Sequence, residues 1–368
     1  MKVTYIFAAA AAIAIGVALS QQPSPEQQQQ QKKKQQEFMQ RTMSFFTPEE
    51  RAHMQLNQKA NANREAWIAA HPARESTGLI PLPDLGKGMY KGEQGGLYPG
   101  GVNAPPEAHL KAGIAISHRI VPLDTEGRPA DDGKIVMVSI GMSNTTMKFV
   151  AFQKLASEQT DLNPRVVLVD GAQGGQVAWV TSKPGTPFWE VVADRLKAAG
   201  VTHQQVQAAW LLQANPGPVE EFPTEMKELQ RNIIETLHVM HDKFPNLKVT
   251  YLSNRTYAGY ASSPLNPEPH AYENGFAVKW VISDQLAGKP ELNYDPAKGP
   301  VRAPWVEWGP YLWADGVKPS KSGLSYVRED YTEADGTHPT PSGRMKVAKL
   351  LMEFMKTDAT ARGWFLAK

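Results

Sequence analysis

The sequence predicts an α/β fold: a parallel sheet with helices covering both faces. Three observations lead there. Short apolar runs of strand length recur along the C-terminal two-thirds of the chain. A stretch with helical spacing follows most of them, and this alternation is the signature of a parallel sheet. Of the 368 residues, 41% are hydrophobic, enough to bury a full core once the polar N-terminus is set aside.

The N-terminus carries an address before it carries structure. Lys2 provides a short positive region, an apolar, alanine-rich run extends from Ile6 to Leu19, and Ala18-Leu19-Ser20 places small residues at the −3 and −1 positions. Residues 1–20 therefore read as a secretory signal, with an uncleaved anchor as the alternative, since the apolar run is a little short to span a bilayer. Export to a periplasm or to the medium follows, with no stable membrane insertion after cleavage. Residues 21–46 are rich in Gln and Lys and read as a solvated tether. Thr47-Pro48-Glu49-Glu50 combines an N-cap, a Pro at the first helical position and a Glu at the third. It predicts a helix over residues 50–70, followed by a Pro/Gly-rich arm up to residue 112. The catalytic domain is expected over 113–368.

Within that domain the first strand is Ile135-Val136-Met137-Val138-Ser139-Ile140, an apolar run typical of a strand buried on both faces. A helix is expected over 144–157. Arg165-Val166-Val167-Leu168-Val169-Asp170 is the second strand, and a helix over 189–199 is closed by Gly200. Further strands are expected at 208–213 and 247–253, and helices at 220–243, 272–286 and 344–356.

Composition excludes several functions. The net charge is +2, with three of the positive charges in Lys32-Lys33-Lys34, so no basic face for nucleic acid is present. The absence of cysteine removes disulfides, thiolate metal sites and cysteine nucleophiles. His238 and His241 have a spacing that can bind metal, but no third ligand is evident nearby, so no metal is expected.

The residues that carry chemistry fall at strand ends, where open α/β sheets bind ligands. Ser143 lies between the first strand and its helix. There its N–H meets the positive end of the helix dipole and can stabilise an oxyanion. A serine in that turn also fits a helix cap. A phosphate loop fits less well, because the glycine cluster and lysine of such loops are missing. Asp170-Gly171-Ala172-Gln173-Gly174-Gly175 follows the second strand, and its amides can supply another donor or simply turn the chain. Asn215, in Gln213-Ala214-Asn215-Pro216, can offer its side-chain amide or merely end the third strand. Asp335-Gly336-Thr337-His338 precedes the last helix. A carboxylate three residues before a histidine can fold back onto Nδ1–H, fix the tautomer and steady the imidazolium.

These blocks, in this order, resemble the SGNH (GDSL-like) hydrolase superfamily over about residues 133–354. The motif is closest to its carbohydrate acetylesterase-like branches, because Gly141-Met142-Ser143-Asn144 is similar to a Gly-Gln-Ser-Asn variant. The resemblance implies a three-layer α/β/α, flavodoxin-like fold and a serine esterase mechanism that needs no cofactor. Carried over residue by residue, Ser143 is the nucleophile, His338 the base and Asp335 its orienter. The amides of Ser143 and Gly174 and the side chain of Asn215 form the oxyanion hole. Gly174 is preferred to Gly171 and Gly175 because the family uses the second glycine of Gly-x-x-Gly. The third block departs from the family's Gly-x-Asn-Asp, with Gln213 in place of the glycine.

Asn144, Gly175, Arg255, Tyr257, Trp308 and Trp313 are expected to contact substrate. The tryptophans suit stacking on sugar as well as packing a loop. The reading is an exported serine esterase acting on carboxylic esters, acetyl esters of carbohydrate in particular. A general carboxylesterase or lipase-like enzyme of the same fold, and a non-catalytic carbohydrate-binding module, are the alternatives. Acyl length, oligomeric state and the work of the N-terminal arm stay open at this level.

Overall fold

Residues 24–217 and 220–367 are described by a computed structural model; the expected signal at 1–20 lies outside the described residues. In chain order the N-terminal part contains α1 (Pro25–Ser44), α2 (Pro48–Ala62), α3 (Arg64–Ala70), α4 (Leu82–Leu85), the two-residue strands β1 (Met89–Tyr90) and β2 (Glu93–Gln94), and α5 (Glu107–Ser117). The body follows as β3 (Ile135–Gly141), α6 (Ser143–Ser157), β4 (Val166–Asp170), α7 (Ala178–Thr181), α8 (Pro187–Ala198), β5 (Val206–Leu212) and α9 (Thr224–Lys243). It closes with β6 (Val249–Ser253), α10 (His270–Leu286), β7 (Trp305–Trp308), α11 (Pro341–Thr357) and α12 (Arg362–Phe365).

The five body strands form one parallel sheet in the order β4-β3-β5-β6-β7. Successive side chains of a strand point to opposite faces, and β3 shows the result. Val136, Val138 and Ile140 join the core built with α7, α8, α9 and α10. Ile135 and Met137 join the core built with α5, α6, α11 and α12. Two cores separated by one sheet make a three-layer α/β/α sandwich, as the sequence predicts. The chain runs from β3 outward to β4, then crosses to β5 on the other side. This reversal opens a crevice at the carboxyl ends of β3 and β5.

Four expectations are corrected. Residues 25–44 are a helix, not a tether. Ser24 and Gln27 close a capping box around Pro25, and the Gln/Lys run contains only good helix formers. The helix expected over 50–70 is two, α2 and α3, broken at Asn63. The fifth strand, β7, forms from Trp305-Val306-Glu307-Trp308, where none of the expected strands falls. The boundary drawn at residue 112 also falls inside α5, where Gly113 lets the helix approach the Trp305 ring so closely that a Cβ would overlap it.

Candidate active site

Ser143 is the first residue of α6, two residues beyond Gly141, the last of β3. Its N–H is one of the donors that a helix start leaves without an intrahelical acceptor. Thr145 holds the turn. Its Oγ1 donates to Leu212 O at 2.7 Å and accepts from Met142 N at 3.3 Å. Gly141 has to be glycine because a Cβ would collide with Leu212 O and Thr145.

His338 arrives from the loop before α11. Asp335 Oδ1 accepts from the Thr332 hydroxyl at 2.8 Å and from the backbone N–H groups of Thr337 and His338 at 2.9 and 3.0 Å. Its Oδ2 accepts from His338 Nδ1. Burial works against a charge on Asp335, but the bonds from the His338 ring and from the two amides outweigh it and hold the carboxyl well below the usual range. An ionised carboxylate can only accept, so Nδ1 carries the ring proton and Nε2 is left as an acceptor. Nε2 faces Ser143 Oγ at 2.8 Å. Ser143 and His338, 195 residues apart, thus form one hydrogen-bonded chain with Asp335.

The second turn brings Gly174 alongside. Gln176 N donates to Gln173 O at 3.3 Å, so Gly174 and Gly175 are the central residues of a β-turn. Gly175, at φ +75°, occupies the position that asks for glycine. Gly171 N–H is used on Ser139 O at 3.1 Å, whereas the N–H of the turn's first central residue, Gly174, takes no part in the turn's own bond. The Arg195 guanidinium fastens the segment through Asp170 O and Ala172 O, at 2.8 and 2.7 Å.

The third turn contains the departure from the family pattern, and Gln213 has a task there. Its Nε2 donates to Gln176 O and to Thr181 Oγ1, both at 3.1 Å, which braces the third turn against the second. Asn215 is 3% exposed. Its Oδ1 accepts from Asn232 Nδ2 at 3.1 Å, which fixes the amide orientation. Its Nδ2 is buried without an acceptor. A buried donor without a partner costs about 1–3 kcal/mol, and the described residues supply no acceptor for this one.

Among the other expected contact residues, Asn144 sits directly after Ser143 with its Oδ1 buried and unpaired. Four of the other expected contact residues are buried, and three of them are held by hydrogen bonds. Trp308 Nε1 donates to Leu97 O and Trp313 Nε1 to Glu268 Oε1, both at 2.8 Å, and the Tyr257 hydroxyl donates to Arg74 O at 2.6 Å. They pack the body and present no face to a sugar. Arg255, 2% exposed, lies against the residue before Ser143, with Nη1 3.9 Å from Met142 Sδ and Nε without a partner. Burial lowers its guanidinium to about 10.

Sequence reasoning missed several supporting residues. Lys148 is 1% exposed; burial first, and the Arg255 charge second, pull its ammonium well below its usual range. Its signal was available, because it lies on the stripe of Thr145, Phe149 and Phe152 that α6 buries. The N-terminal helices grip the site loops. His53 Nε2 and Asn57 Nδ2 of α2 donate to Gly217 O at 2.5 and 3.0 Å. Arg64 of α3 donates to Ser262 Oγ at 2.6 Å and to Ala334 O, next to Asp335.

No family model and no curated protein matches the chain. Among solved structures, a salicylyl-acyltransferase from a tetracycline biosynthetic pathway aligns at 13% identity and TM-score 0.34, over 62% of this chain and 56% of its own; the chain thus spans little more than half of that relative's length. A carbohydrate esterase family 3 protein from Talaromyces cellulolyticus aligns at 10% identity and TM-score 0.30, over 59% and 94%. The periplasmic domain of a lipopolysaccharide acetyltransferase from Salmonella ser. Paratyphi A aligns at 12% identity and TM-score 0.33, over 67% and 95%. Likenesses this distant carry no information about activity. Among the described residues, no helix is long and apolar enough to cross a membrane.

Proposed function

We propose that the chain is an exported serine hydrolase of carboxylic esters. One observation carries this reading: the Ser143–His338–Asp335 chain of hydrogen bonds stands at the same strand ends as the unpaired Asn215 amide. A buried polar pair kept only for stability would not need a serine hydroxyl on one side and a donor without an acceptor on the other.

The steps follow from these positions. His338 Nε2 takes the Ser143 proton as Oγ bonds to the ester carbonyl carbon. The negative charge moves to the carbonyl oxygen, where the Ser143 and Gly174 amides and Asn215 Nδ2 receive it. The intermediate collapses, the alcohol leaves with the proton from His338, and the acyl group remains on Ser143. Water, deprotonated by His338, then repeats the addition and releases the acid. Asp335 keeps the ring in the productive tautomer throughout. The SGNH-like order of the four blocks supports the same assignment. The acetyl-carbohydrate version loses its aromatic support, because Trp308 and Trp313 are buried; ester hydrolysis does not depend on them.

Hydrolysis of p-nitrophenyl esters by the mature chain, compared with Ser143→Ala, tests the reading. A folded Ser143→Ala enzyme that retained full activity would end it. For export, the mature protein from the periplasm or medium should begin at Gln21.

A further inference from the structure

We infer that α1 and α2 complete an acyl pocket on the oxyanion side of the site, selective for short apolar acyl chains longer than acetyl. The inference rests on the ester-hydrolase reading and adds to it the acyl group that the site accepts.

A cavity of about 100 Å³ lies between these two helices and the strand-end turns. Its inner wall includes Gly175 and Gln176, directly after Gly174, and Pro216 and Gly217, directly after Asn215. The cavity is thus lined by the residues that directly follow two donors of the proposed oxyanion hole, Gly174 and Asn215. Its outer wall combines the apolar Met39, Met43, Phe46 and Met54 with the uncharged polar residues Thr42, Asn57, Gln58 and Asn61. No ionisable side chain is among its lining residues, so it suits a neutral apolar group.

The reaction decides which half of an ester belongs there. The departing alkoxide needs the proton on His338, so the alcohol half must lie on the His338 side. The carbonyl oxygen takes the Ser143, Gly174 and Asn215 donors, so the acyl chain is the substituent left to extend away from His338 past the oxyanion hole, towards Gly175–Gln176 and Pro216–Gly217, which line the cavity. Its size points to a chain of a few carbons, since a dry apolar cavity of roughly 150 Å³ is enough to hold benzene. Three methionines in the wall add adaptability.

The outer wall is fastened for this purpose. Besides the bonds from His53 and Asn57 to Gly217 O, Lys183 Nζ pairs with Glu50 Oε1 at 2.5 Å, joining α2 to the loop after α7. The helix whose first half is an exposed Gln/Lys run turns its second half into a wall of the site.

The test is kcat/KM for p-nitrophenyl acetate, butyrate, hexanoate and dodecanoate, measured on the mature chain and on Met54→Trp and Met54→Ala. The expected profile rises about fourfold per methylene beyond acetate, the equivalent of about 0.8 kcal/mol per buried CH₂, peaks at butyrate or hexanoate and drops at dodecanoate. Met54→Trp should lower the hexanoate-to-acetate ratio at least tenfold, and Met54→Ala should move the peak to a longer chain. A profile that is highest at acetate, or a ratio untouched by both substitutions in folded protein, overturns the pocket and leaves ester hydrolysis standing. A mature chain inert toward every ester overturns the parent reading instead.

Discussion

Replacing Asn215 by Ala separates a catalytic donor from a structural asparagine. The substitution removes two things of different kinds. One is Nδ2, buried and without an acceptor; losing one oxyanion donor costs on the order of 10²–10³ in kcat. The other is Oδ1, the acceptor for Asn232 Nδ2. Stranding that amide should lower stability by about 1–3 kcal/mol. The two losses are read by different assays: steady-state kinetics on an aryl ester for the first, urea unfolding for the second. Because the donor gains its partner only as the charge develops, KM should move little while kcat falls. Asn232→Ala is the control. It should cost similar stability, but it leaves Nδ2 in place and should lose far less in kcat. If Asn215→Ala kept kcat within about threefold of the parent while losing the expected stability, Asn215 would be a structural residue and the oxyanion argument would fail.

Three further outcomes are expected. Asp335→Asn should cut kcat by about 10⁴, because an amide facing His338 Nδ1 favours the wrong tautomer; a pH–rate profile shows whether the base is affected rather than binding. Gly336→Ala should lower kcat and destabilise the fold by about 1–3 kcal/mol, measured by thermal unfolding, since Gly336 has φ +63° and a Cβ there would strike Tyr260 O. Glu307, 3% exposed on β7, has its carboxyl pushed up from 4.5 to about 8, by burial first and by Asp358 second. The folded state then holds a proton that the unfolded state has lost. Stability from this group is complete below pH 4.5 and declines as pH rises toward 8, by up to about 1.4 kcal/mol per pH unit; chemical denaturation across pH 5–8 should show a flatter profile for Glu307→Gln.

Local pattern carried most of the architecture. The strands at 135–141, 166–170, 206–212 and 249–253 are apolar runs whose burial follows from the sheet itself, and each expected helix after them lies within a few residues of its observed ends. The Ser143, Gly174, Asn215 and Asp335–His338 blocks were readable because their chemistry is local: a turn, a helix start, a carboxylate three residues from a ring. What escaped was non-local. Gln213 looks like a defect in a motif until its amide is seen reaching Gln176 and Thr181. The contacts of Arg64 with Ser262 and Ala334 join parts of the chain about 200 to 270 residues apart, and no spacing announces them. The tryptophans left two readings open because an exposed platform and a buried anchor have the same composition; only the partners of Trp308 and Trp313 separate the two. The Gln/Lys tract misled for a different reason. Its polarity describes the exposed first half of α1 and not the second half, where Met39 and Met43 line the cavity.

The central claim is that Ser143 is a nucleophile activated by His338. Peptide mapping by mass spectrometry after treatment with a fluorophosphonate tests it most directly. One phosphonyl group should appear on the peptide that contains Ser143. It should form much more slowly in His338→Ala and not at all in Ser143→Ala. A folded, ester-hydrolysing chain that took up no label, or took it up on another residue, would contradict the account.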